Sequence, residues 1–173
     1  MAGLTGLFRR RTREPELAAL YGAIVAAARS PDWYRYGAVP DTLDGRFDMI
    51  AAVFALVLLR IEAEGEAGRA PAATLTERFI DDMDGQLRQL GIGDIVVGKH
   101  MGKMMSALGG RLGAYRDGLA GGDFADALAR NLYRGADVDP AALGFSEARL
   151  RQLADRLAAT PLDALLAGQL PAP

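Results

Sequence analysis

Leu43, Phe47, Ile50, Phe54, Val57, Leu58 and Ile61 recur at intervals of three and four, the spacing of one buried helix face. Pro40 stops what precedes this run, and Asp41 or Thr42 is placed to cap it. The pattern therefore predicts a long helix from about Asp41 to Glu64, ended by Gly65. A first helix is marked by Leu17, Leu20, Tyr21, Ile24, Val25 and Ala28, with Pro15 suited to its first turn. Pro31 to Gly37 reads as a tight aromatic connection, and residues 65–73, with two glycines and a proline, read as a loop.

Thr74 followed by Glu77 forms a capping box, opening a helix with Leu75, Phe79, Met83, Leu87 and Leu90 on one face and Gly91 as its stop. Val97, Met101, Met104, Met105, Leu108, Leu112 and Tyr115 give another helix, about Asp94 to Leu119. Gly98, Gly102, Gly109, Gly110 and Gly113 fall inside it, each costing about 0.5–1 kcal/mol relative to alanine, which implies a close neighbouring backbone or a bend. Gly121-Gly122-Asp123 caps a shorter helix through Tyr133. Beyond it, Asp139-Pro140 starts a helix that Gly144 stops, Ser146 begins another through Ala159, and Thr160-Pro161 begins a last one ending at Gly168. Alternating strand patterns are missing apart from the short Ile92–Val97 run. The expected fold is all-α: one compact domain of about six to eight helices over residues 14–173, behind a flexible basic arm at 1–13, with C-terminal helices at 139–168.

Composition narrows the picture. A length of 173 residues suits one domain, and 50% hydrophobic with 24% charged residues is a globular balance. A net charge of −2 gives no sign of nucleic-acid binding. The absence of cysteine excludes disulfides, thiolate chemistry and cysteine-ligated metal centres. The longest uncharged apolar run, Met49 to Leu59, is 11 residues, about half of the ~20 that span a bilayer. No spanning helix is expected. Leu4, Leu7 and Phe8 precede Arg9, Arg10, Arg11 and Arg13, the wrong order for a signal peptide. That order suits either peripheral contact with an anionic membrane face or an unstructured tail. The expected location is cytoplasmic, with that arm as the membrane contact.

Candidate chemistry is sparse. Gly93 to His100 approaches the phosphate-loop pattern, but a helix precedes it and His100 stands where a hydroxyl should be. Asp81, Asp82 and Asp84 with Glu77, facing Asp41, Asp44 and Asp48, would make a metal-dependent enzyme; a solvated acidic face is the simpler reading. His100 is the sole histidine, so no triad or imidazole cluster is available. The methionines fill a core or form an adaptable apolar surface. Thr74 to Asp94 carries a net −3, whereas Ile95 to Arg116 holds Lys99, Lys103, Arg111 and Arg116 with no acid. The two segments either pair as a helical hairpin or present a polarised face. No catalytic residue, metal or cofactor is expected, and a generic interaction scaffold stays open beside the enzyme alternative.

Four blocks, in order, carry a resemblance. They are Val39 to Ile50; Phe79-Ile80-Asp81-Asp82-Met83-Asp84; Leu87 to Lys99; and Gly110-Arg111 with Tyr115, followed by Arg130-Asn131. Over roughly Leu20 to Asn131 the chain resembles the ubiquinol–cytochrome c chaperone family, with the region beyond Asn131 outside the resemblance. It departs from the family pattern at Val53, Gln89-Leu90 and Leu108-Gly109. The resemblance implies an assembly chaperone for respiratory complex III that binds newly made cytochrome b and performs no catalysis. A small helper protein is a further partner, and nucleic acid is not. The resemblance also implies a partner-binding face of Asp41, Thr42, Asp44, Arg46, Asp81, Asp82, Asp84, Arg88, Asp94, Lys99, Lys103, Arg111 and Tyr115.

Overall fold

A computed structural model describes the backbone of residues 5–89 and 94–173 and the side chains of 17–86, 102 and 105–173. Eight helices are described: α1 (Thr5–Ala28), α2 (Pro31–Arg35), α3 (Leu43–Glu62), α4 (Glu66–Gln89), α5 (Asp94–Leu119), α6 (Phe124–Asn131), α7 (Pro140–Ala159) and α8 (Leu162–Leu166). No strand occurs among the described residues, and the fold is all-α.

Helix α3 is the axis of the molecule. It packs against α1, α4, α5 and α7, and every residue from Asp48 to Leu58 is buried. The expected one-sided face is therefore a helix buried all round, which is what an 11-residue uncharged run becomes inside a globule. Its N-cap is Thr42, whose side chain accepts a hydrogen bond from the Gly45 amide. Leu43, counted with the apolar face, projects into solvent instead, because the first turn overhangs the bundle.

Several boundaries differ from the sequence pattern. The backbone is helical from Thr5, so Pro15 lies within α1 rather than at its start, and the side chains of the basic arm lie outside the described residues. Residues 66–73 are helical, not a loop. Gly65 reverses the chain at φ +60°, and α4 begins at once, with Pro71 inside it. Gly68 sits so close to α3 that a Cβ would lie 1.8 Å from the Ile61 carbonyl oxygen. Thr74 is no cap; its hydroxyl donates to the Ala70 carbonyl one turn back. Gly144 likewise does not stop a helix, since α7 runs unbroken from Pro140, capped by Asp139. Its Ser146 is fully buried against Tyr133, whose hydroxyl lies 2.7 Å from Ser146 Oγ and donates to the Gly37 carbonyl at 2.6 Å. Gly102, Gly109, Gly110 and Gly113 face open space, so close backbone approach does not account for them.

The aromatic connection is a short helix that finishes α1. Trp33 Nε1 donates to the Ala27 carbonyl, which also accepts from the Ser30 amide, and the Tyr34 hydroxyl donates to the Ala28 carbonyl at the helix end. Arg60 does the same for α7, donating to the carbonyls of Leu157 and Thr160.

Candidate functional site

The first two turns of α3 send their charged groups to two different places. Asp41 and Arg46 stay outside, joined at 2.7 Å with more than half of each side chain exposed. Asp48, seven residues after Asp41, is 1% exposed, and each of its carboxylate oxygens meets a different guanidinium. Arg111 of α5 donates to Oδ1. Arg134, just after α6, donates from Nε to Oδ2 at 2.5 Å and from Nη1 to Asp44 at 2.7 Å. Arg111 also donates to the Asn131 carbonyl at 3.1 Å and lies over the Phe47 ring at 5.5 Å. Two elements distant in sequence, α5 and the turn after α6, thus converge on one carboxylate of α3 and fix the three together.

Burial pushes the Asp48 carboxyl up from its ordinary value, against the opposing pull of Arg134 and Arg111. Arg134 is raised in turn, mainly by its hydrogen bond to Asp48. Next to this cluster, Tyr115 is wholly buried, packed edge-on to Phe124 with its ring centroid at 5.5 Å. Burial holds its hydroxyl well above the usual tyrosine range. Among the described residues, neither that hydroxyl nor Arg111 Nη1 has a hydrogen-bond partner.

The thirteen residues assigned to a partner face therefore separate. Asp41, Asp44, Arg46 and Asp81 are exposed. Thr42 is exposed but spends its side chain on the cap. Asp82 is half-buried, accepting from the Tyr21 hydroxyl at 2.8 Å and from Gln86 at 3.0 Å. Asp84 is half-buried and partnered. Arg111 and Tyr115 face the interior, because the α5 stripe that holds them packs on α3 and α6. The side chains of Arg88, Asp94, Lys99 and Lys103, and that of His100, lie outside the described residues.

The charges of the α4–α5 contrast whose partners are described turn to other helices. Arg111 and Arg116 reach across to Asp48 and Glu62 of α3, while Asp82 of α4 bonds to α1. Of the acids proposed for a metal, Asp48 is taken by two guanidiniums and Asp44 by one. Among the described residues, no group of three potential metal ligands converges. Residues 94–99, the core of the phosphate-loop pattern, are the start of helix α5 rather than a loop that follows a strand, so the strand–loop–helix setting of that pattern is not met. Met49 and Met83 are core residues, and Met105 packs against the core. Sequence pattern missed Arg134, which lies beyond the resemblance; its left-handed backbone, φ +55°, marks it only once coordinates are seen.

Fold and charge layout define the class: an all-helical domain braced by an internal ion cluster, with an exposed charged end at the start of its central helix. Residues 35–172 match the family model described as ubiquinol-cytochrome C chaperone, and the chain belongs to that family. It is also similar to a protein described as the Cbp3 homolog from Brucella abortus, known from a crystal structure, at 36% identity and a TM-score of 0.83. That likeness covers 98% of this chain and 96% of the other. No curated protein sequence matches the chain significantly. The family match runs some forty residues past Asn131, correcting the narrower extent read from the motifs, and it takes in Arg134 and α7. Membership makes the chain an assembly chaperone of the ubiquinol–cytochrome c reductase system.

Proposed function

We propose that this chain holds newly made cytochrome b until complex III assembly proceeds, gripping it by the exposed charged end of α3 without catalysing a reaction. The observation that carries this reading is the braced exposure of Asp41, Asp44 and Arg46 in a chain that belongs to the family. The Asp48–Arg111–Arg134 cluster fixes the turn beneath them, so the surface charges are offered in a set orientation, which favours encounter and register over raw affinity. Asp81, Asp82 and Asp84 of α4, with Arg88, Asp94, Lys99 and Lys103, extend the proposed face, and apolar helix surface covers hydrophobic parts of the client.

A small helper protein and a peripheral membrane contact through Arg9, Arg10, Arg11 and Arg13 belong to the same reading. So does a cytoplasmic location at the inner membrane face. Among the described residues no helix is long and apolar enough to cross a membrane. Photo-crosslinking from positions 41, 46 and 81 in cells making cytochrome b tests the reading. Adducts containing cytochrome b are expected; adducts confined to unrelated proteins would leave a general scaffold in its place.

A further inference from the structure

The junction between the end of α1 and the start of α3 forms an open groove lined by Arg29, Pro31, Tyr34, Arg35, Asp41 and Arg46. Its charges are unequally spent. Asp41 is paired with Arg46, and the acids on either side are taken as well, Asp32 by Arg149 at 2.8 Å and Asp44 by Arg134 at 2.7 Å. Arg29 and Arg35 are exposed and have no ion pair among the described residues. What the groove offers is thus two uncommitted guanidiniums beside the wall of Tyr34. The large apolar side chains most exposed on the described surface, Tyr36 at 60% and Leu43 at 55%, flank the lining in sequence, one next to Arg35 with its ring also against Phe145 at 5.6 Å and one three residues before Arg46.

We propose that this groove binds an acidic segment of a partner polypeptide, its carboxylates meeting Arg29 and Arg35 and a neighbouring apolar side chain resting on Tyr36 and Leu43. The inference rests on the reading that this end of the molecule grips a polypeptide, and it adds the chemistry of the gripped segment. Guanidinium forks suit carboxylates, which they hold through paired hydrogen bonds. A membrane surface fits less well. A bilayer presents a plane of anionic headgroups, whereas here the arginines line a concavity whose neighbourhood also carries Asp32, Asp41 and Asp44. An extended chain can enter such a groove and keep its acids away from those three.

The test uses the full chain and a fluorescein-labelled peptide of alternating glutamate and leucine, followed by anisotropy. The expected result is saturable binding that weakens with added salt and falls about tenfold or more in R29E/R35E, with R29Q/R35Q in between. R130E, a charge reversal at an exposed arginine paired within α6, should bind like the parent. Circular dichroism confirms that each variant is folded before it is scored. Absence of peptide binding, or equal binding by R29E/R35E, overturns the proposal. So does binding to phosphatidylglycerol vesicles that is lost in R29E/R35E while the peptide is ignored. Cytochrome b crosslinks from positions 41 and 46 that persist without peptide binding would sink this inference alone. Peptide binding that follows the arginines, with no cytochrome b adducts, would sink the client assignment and leave the groove chemistry standing.

Discussion

Asp41 and Asp48 lie two helical turns apart in one stretch of sequence, and each pairs with arginine, yet the two pairs do different work. Asp41 meets Arg46 in solvent, five residues away in the chain, with 62% of the acid's side chain exposed. Asp48 meets Arg111 and Arg134, 63 and 86 residues away, with 1% exposed. An exposed pair gains little over its hydrated partners, because water and salt screen the attraction. A buried carboxylate has lost its water and depends on its guanidiniums completely. The outer pair is therefore free to serve recognition, and the inner one is bound to the fold.

The sharpest break of that contrast is Asp48→Ala, which strands Arg111 in the interior. A loss of about 3–5 kcal/mol is expected in urea denaturation. If the charge itself is the cost, Asp48→Leu with Arg111→Met should recover most of that loss, and a double variant as unstable as the single one would refute this account. Arg134→Ala comes next, at about 1 kcal/mol, because that guanidinium is half exposed and Arg111 still neutralises Asp48.

Tyr115→Phe is expected to be nearly neutral at pH 7, since it deletes a buried hydroxyl for which the described residues supply no partner. Its effect belongs to alkaline solution. Burial raises the Tyr21, Tyr34, Tyr115 and Tyr133 hydroxyls above their ordinary value, so the folded state keeps these protons where the unfolded chain would release them. The linked stability is complete below about pH 10 and is lost as pH rises beyond it. Removing Tyr115 should make that alkaline decline shallower, as read from thermal midpoints at stepped pH; an unchanged slope would mean the ring is not what titrates. The smallest effect on the fold is expected for Arg46→Glu. Its melting curve should overlay the parent's, while the yield of assembled complex III falls; a lowered midpoint would place Arg46 with the inner pair.

The departures from the sequence pattern share a cause with this contrast. Gly68 and Pro71 are locally loop signals, and Gly144 is locally a stop, but each lies in a helix that packing sustains. Propensities of about 1 kcal/mol for glycine yield to an apolar face that has a core to enter. Leu43 shows the reverse: an apolar residue with the right period stays in water because its turn overhangs the bundle. Among the candidate partner residues, exposure was legible for charges near a helix end, Asp41, Asp44 and Arg46, and for Asp81 on the acidic face of α4. On α5, Arg111 reads like Arg116, yet one is buried and the other lies in solvent on Glu62.

What the chain determined by itself was local: helical periodicity, the Thr42, Asp123 and Asp139 caps, and a family signature in ordered blocks. These depend on contacts within a few residues, which linear order specifies. Which acid meets which base was settled only when α3, α5 and the turn after α6 came together. Coulomb attraction has no preference for sequence separation, so the choice of partner, and with it the division between interior and surface, belongs to the packed structure.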